Sequence, residues 1–155
     1  MNQAANVFAG VAPVSEPSET VARLREDWRT ARSAHAELVR LGMPRVNLLL
    51  TGPDGVLEYF LDALLPDLRE PVGRWCPGEQ LLLPPPALIG TMIFQDVGAM
   101  PKDDQRRLLS WLTGASGRTQ VVSTTPKCLL PLVESGAFSA DLYYRLNIIR
   151  IDATE

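Results

Sequence analysis

Gly90-Thr91-Met92-Ile93-Phe94-Gln95-Asp96-Val97-Gly98-Ala99-Met100-Pro101 decides how this chain is read. Thr91–Phe94 is a short apolar run closed by a polar pair, the signature of a strand buried on both faces. Downstream, Asp103 to Leu112 predicts a helix with Leu108, Leu109 and Leu112 on one face. Gln120 to Thr124 is β-branched and strand-like. Cys128 to Glu134 predicts a helix interrupted early by Pro131, and Asp141 to Leu146 a last helical turn before a strand over 148–151.

Upstream, Val46 to Leu50 is a continuous apolar run ending in the turn Gly52-Pro53-Asp54-Gly55, and Val56 to Leu65 has helical length and apolar spacing. Between 66 and 86 the chain is proline-rich. Val72 to Cys76 predicts a short strand and Gln80 to Leu83 a second extended piece, while Pro84-Pro85-Pro86 fits neither a helix interior nor a central strand. Apolar strands alternating with helices predict a three-layer α/β/α sandwich with a mainly parallel sheet.

The first 17 residues read as a flexible leader. A helix over 18–42 follows, capped by Ser18 or Thr20 and stopped by Gly42 and Pro44. Val21, Leu24, Trp28, Ala31, His35 and Leu38 form an apolar stripe on it, which packs on its own domain or forms a short seam between subunits. The remainder, 43–155, reads as one α/β domain.

The chain has 155 residues, 46% of them hydrophobic, enough for one buried core. A net charge of −3 predicts no broad attraction to nucleic acid or anionic membrane, hence no direct DNA binding. No apolar run approaches a bilayer span, and the start of the chain does not read as a signal peptide. Cys76 and Cys128 lack zinc or disulfide-framework spacing, and His35 is the single histidine, so no metal site is expected. A reduced, cytoplasmic setting follows.

Three blocks of this sequence resemble, in the right order, the AAA+ ATPase domain of bacterial sigma-54 activators. Gly90–Pro101 resembles the family's Walker B strand and turn, roughly G-T-L-F-L-D-E-I-G-x-M-P. The run Gly136-Ala137-Phe138-Ser139-Ala140-Asp141-Leu142-Tyr143-Tyr144-Arg145-Leu146-Asn147-Ile148-Ile149-Arg150-Ile151 resembles G-x-F-R-x-D-L-Y-Y-R-L-N-x-x-x-I. Asn47 to Gly55 sits where the family has its phosphate-binding loop. Together they span about residues 46 to 151. The resemblance implies a P-loop NTPase (AAA+)-like fold in a truncated form lacking the helical lid.

Residue by residue, the implied nucleotide site is degenerate. The family's loop T-G-x-x-G-x-G-K-E is here Thr51-Gly52-Pro53-Asp54-Gly55-Val56-Leu57-Glu58-Tyr59. Thr51, Gly52 and Gly55 remain as vestigial binding residues. Leu57 replaces a glycine and is expected to crowd a phosphate, and Glu58 replaces the lysine with a like charge. The Walker B pair becomes Gln95-Asp96, leaving Asp96 as a vestigial carboxylate. Pro126 stands at the polar sensor position. Ser139 replaces one family arginine, and Arg145, the other, is expected to pair with Asp141 one turn earlier.

The interval from Gly55 to Gly90 has no room for the family's sigma-54 contact loop, so sigma-54 contact is doubtful. The expected function is a non-catalytic interaction module in transcription regulation, working by self-association or by contact with a protein partner, and needing no cofactor. The alternative is a divergent AAA+ protein that binds ATP or ADP with magnesium and hydrolyses weakly. A small-molecule site at the sheet's C-terminal edge is the third reading, for which the sequence supplies no constellation of residues.

Overall fold

The computed structural model describes residues 46–115 and 118–152 and, ahead of them, Glu19, Ala22, Arg23, Arg25–Asp27, Arg29, Thr30, Ser33, Arg40 and Leu41. Among the described residues from 46 onward there are five strands, β1 (Leu48–Thr51), β2 (Val72–Trp75), β3 (Thr91–Phe94), β4 (Gln120–Thr125) and β5 (Ile149–Asp152), and four α-helices between them. The helices are α1 (Asp54–Leu64), α2 (Lys102–Ala115), α3 (Leu130–Glu134) and α4 (Ala140–Leu146).

All strand pairs are parallel, in the order β2-β3-β4-β1-β5. The three inner strands are buried at every residue, whereas β2 and β5 at the edges are only partly buried. That difference explains the composition: inner strands touch apolar layers above and below, so apart from Gln120 at the start of β4 their side chains are apolar or small. Alternation along the strands divides the core. Leu49, Met92, Phe94 and Val121 face one layer with Leu108, Leu112, Phe138, Leu142 and Leu146. Leu48, Leu50, Ile93 and Val122 face the other, against Leu57, Phe60, Leu61 and Leu64. The last four repeat at steps of three and four, one stripe of α1. This is the three-layer sandwich the sequence predicts.

Strand and helix ends shift by up to three residues from expectation; β1 begins at Leu48, α1 at Asp54, and α2 runs on to Ala115. The expected extended piece over Gln80–Leu83 pairs with no strand among the described residues. That segment crosses from β2 to β3 instead, with Leu81 buried in the core. Two indoles and a guanidinium hold it there. Trp75 Nε1 donates to the Glu79 carbonyl at 3.1 Å, Trp111 Nε1 to Pro84 at 2.8 Å, and Arg107 Nη2 to Leu81 at 3.0 Å. Prolines remove donors from this run, so side chains from neighbouring elements satisfy its carbonyls.

Gln105 ties the other layer together. Buried on α2, it donates through Nε2 to the Met100 carbonyl at 2.9 Å and the Ala137 carbonyl at 3.1 Å, and accepts from Ser139 N at 2.8 Å. Ser139 caps α4 through Leu142 N at 3.2 Å.

The described residues of 19–40 are helical and exposed. Arg25 donates to the hydroxyl of Tyr59 on α1, its guanidinium carbon 5.3 Å from the ring centroid. Val21, Leu24, Trp28, Ala31, His35 and Leu38, the expected interaction stripe, lie outside the described residues.

Candidate functional site

The strand order places the ends of β3, β4 and β1 side by side, so Gln95-Asp96, Thr125-Pro126 and Thr51-Gly52 meet at the sheet's C-terminal edge. Parallel α/β sheets bind ligands at that edge. Gly52 N donates to the Thr125 carbonyl at 3.2 Å, and Asp96 N to Thr124 Oγ1 at 3.1 Å. Asp96 has φ 47° and ψ 55°, a left-handed conformation that Asp tolerates better than most residues.

Between β1 and α1 the connection is Gly52-Pro53 alone, because the helix starts at Asp54. The N–H groups of Val56 and Leu57 both donate to the Pro53 carbonyl, at 3.0 Å each. A phosphate-binding loop works through N–H groups left free to converge on an anion; here the helix has taken up these two. Pro53 contributes no N–H, and its fixed φ suits the residue before a helix.

Leu57 corrects an expectation. It is 3% exposed and packs in the core with Phe60 and Leu61, so it does not stand in the loop as an obstruction. In a helix begun at Asp54, position 57 falls on the inward stripe. Glu58 is exposed, as is Gly55, where an added Cβ would meet nothing within 4 Å. Thr51 is buried between Thr125 and Asp152 of the flanking strands.

The carboxyl of Asp96 is held above the usual aspartate range, first by burial, then by Asp54, with Lys127 pulling the other way. Asp54, at the start of α1, and Asp96, at the end of β3, therefore feel one another across the edge. Gln95 Oε1 accepts from Cys76 Sγ at 3.0 Å, and Gln95 N donates to the Trp75 carbonyl at 3.0 Å. Burial and then Glu79 push the Cys76 thiol up, so it is no reactive thiolate.

Arg145 lies away from this group, exposed on α4, and does not form the expected pair with Asp141. Its carbonyl accepts from Asn47 Nδ2 at 2.9 Å, and Asn47 Oδ1 accepts from Val121 N at 3.2 Å. The edge thus unites Thr51, Gly52, Gln95 and Asp96 and leaves Arg145 out.

Sequence reasoning missed Lys127, Asp62 and Arg74. The i, i+4 spacing of Glu58 and Asp62 already places both on one helix face. Nothing local signals that Arg74, on β2, lines a cleft with them. Among the described residues no group of three or more His, Cys, Asp or Glu side chains could hold a metal ion. Nor is any helix of the described residues long and apolar enough to cross a membrane.

The parallel sheet, its strand order, and a first strand leading into a helix define a P-loop NTPase-like α/β sandwich. The chain belongs to the sigma-54 interaction domain family, whose model matches residues 35–155. It is 33% identical over 129 residues to the acetoin catabolism regulatory protein of Cupriavidus necator, covering 76% of this chain and 19% of that protein. It is 39% identical over 71 residues to the transcriptional regulator NtrC of Rhizobium meliloti, covering 39% of this chain and 15% of NtrC. The chain thus spans under a fifth of these relatives' length. In fold it resembles NtrX of Brucella abortus, whose crystal structure is a complex with ATP, with a TM-score of 0.63 at 17% identity over 92% of this chain and 38% of NtrX.

Proposed function

We propose that this domain is a non-catalytic, sigma-54-activator-like AAA+ module of transcription regulation, acting in the cytoplasm through protein contacts and not through ATP hydrolysis. The observation carrying this reading is the pair of 3.0 Å bonds from Val56 N and Leu57 N to the Pro53 carbonyl. Donors that would cradle a phosphate are spent inside α1. Asp54 and Glu58 put carboxylates where phosphate oxygens would arrive, a like-charge approach in place of an attractive one. The residues present therefore fit a nucleotide triphosphate poorly, and no cofactor is assigned.

Protein contact is the remaining way for such a module to act. The partner is a second copy of the chain or an intact relative of the family, with the Val21, Leu24, Trp28, His35, Leu38 stripe as the surface. The sigma-54 factor itself is a weaker candidate, since residues 76–90 between β2 and β3 carry a proline-rich crossing and not a projecting contact loop. DNA and membranes are not direct partners in this reading.

Two measurements test it. Calorimetric titration with Mg-ATP is expected to show nothing tighter than roughly millimolar, about 4 kcal/mol. Sedimentation, alone and mixed with the matching region of the acetoin catabolism regulatory protein, is expected to show association that Trp28→Ala weakens. Micromolar ATP binding would support the alternative of a divergent nucleotide-binding domain, which rests on the retained Gly52, Gly55, Asp96 and Arg145.

A further inference from the structure

Glu58 and Asp62 stand one turn apart on the exposed side of α1. Together with Arg74 of β2 and Gln95 just past the end of β3 they line a 280 Å³ cleft, with Leu61 as the one apolar lining residue. Neither Glu58, Asp62 nor Arg74 enters an ion pair among the described residues. The Cys76 thiol occupies Gln95 Oε1 at 3.0 Å, which leaves the amide hydrogens of Gln95 for the cleft.

We propose that this cleft binds a small zwitterion of the amino-acid class. The two carboxylates match an ammonium group. The guanidinium, with its planar fork of donors, matches a carboxylate in bidentate fashion. Neither carboxylate pairs with the guanidinium directly, so a ligand bearing both charges can bridge them. The volume lies below the roughly 300–1,000 Å³ of drug-sized ligand sites, and a single apolar lining residue gives a large hydrophobic side chain nothing to bury against. The position is the C-terminal edge of the sheet, where such folds place ligands. This site goes beyond the protein-contact reading and does not depend on it.

Exposed charges bind weakly one by one, so affinity should be millimolar and fall with added salt. The test is an NMR titration of the ¹⁵N-labelled protein with glycine, β-alanine and γ-aminobutyrate, three zwitterions of increasing span. Acetate and methylammonium serve as the two separate halves. At least one zwitterion should saturate shifts of the Gln95 side-chain amide and Arg74 Nε–H with Kd on the order of 1–10 mM, about tenfold tighter than either half. Arg74→Gln and Asp62→Asn, both at exposed positions, should each weaken it about fivefold or more while shifts elsewhere stay native. The proposal is overturned if no zwitterion saturates by about 100 mM, if the halves bind as well as the whole, or if both variants bind unchanged. The ATP and sedimentation results are independent of these outcomes.

Discussion

The backbone N–H of Gly52 donates to the carbonyl of Thr125 at 3.2 Å, which ties the exit of β1 to the end of β4 before α1 begins. Together with the bonds onto Pro53, it leaves the β1–α1 connection little freedom to open around an anion. Restoring individual family residues therefore should not restore the site. Glu58→Lys, at an exposed position, is expected to change stability by less than about 0.5 kcal/mol and to give no Mg-ATP binding tighter than about 1 mM. Leu57→Gly is expected to cost about 3–5 kcal/mol, since it empties a core position and puts glycine inside a helix. Urea unfolding and calorimetry of the two variants read both outcomes.

Two glycines should respond oppositely to alanine. At Gly90 an added Cβ would lie 2.4 Å from the Arg69 carbonyl oxygen and 2.7 Å from that of Glu70, backbone atoms held by neighbouring structure. Gly90→Ala should destabilise by about 1–3 kcal/mol. At Gly114, in α2, a Cβ meets nothing within 4 Å. Gly114→Ala should stabilise by about 0.4–1 kcal/mol through a less flexible unfolded chain. Thermal denaturation of the pair checks the contrast in sign.

Gln105 is nearly fully buried and makes three hydrogen bonds to backbone groups of two segments, Met100 ahead of α2 and Ala137 and Ser139 ahead of α4. Gln105→Leu would leave the Ser139 N–H and two carbonyls without it, costing at least about 2 kcal/mol. Gln105→Glu keeps an acceptor for Ser139 but forfeits the donor to Met100 and Ala137. It should be nearer wild type at low pH, where the carboxyl can donate, than at pH 7. Denaturant midpoints at the two pH values distinguish these cases.

Asp96 carries a pH-dependent penalty. Its folded-state pKa is raised, first by burial and then by Asp54, with Lys127 partly offsetting. A raised acid binds more protons folded than unfolded, so its contribution falls as pH climbs from about 3.9, the unfolded value, through the raised folded value. Asp96→Asn should therefore be more stable than wild type at pH 7, with the gain shrinking as pH approaches 4. Asparagine also tolerates the left-handed backbone at this position. A gain independent of pH would point to the backbone and not to the charge. Paired unfolding curves from pH 4 to 8 measure it.

The apolar runs at 46–50 and 91–94 and the β-branched run at 120–124, alternating with helical segments, were enough to indicate a parallel sheet covered on both faces. The Gly90–Pro101 and Gly136–Ile151 blocks carried the family in residue identity alone, and the family match over 35–155 agrees. Side-chain destinations were less legible. Aligned to a loop pattern, Leu57 looks like an obstruction; it turns inward because α1 starts at Asp54, and only the three-dimensional start of that helix sets its phase. Asp141 and Arg145 have ideal helical spacing, yet they do not pair, since an exposed ion pair gains little against side-chain entropy. The unions of Asp54 with Asp96 and of Glu58 with Arg74 join residues from different elements. Sheet order and crossover geometry decide such meetings, and no local pattern along the chain encodes them.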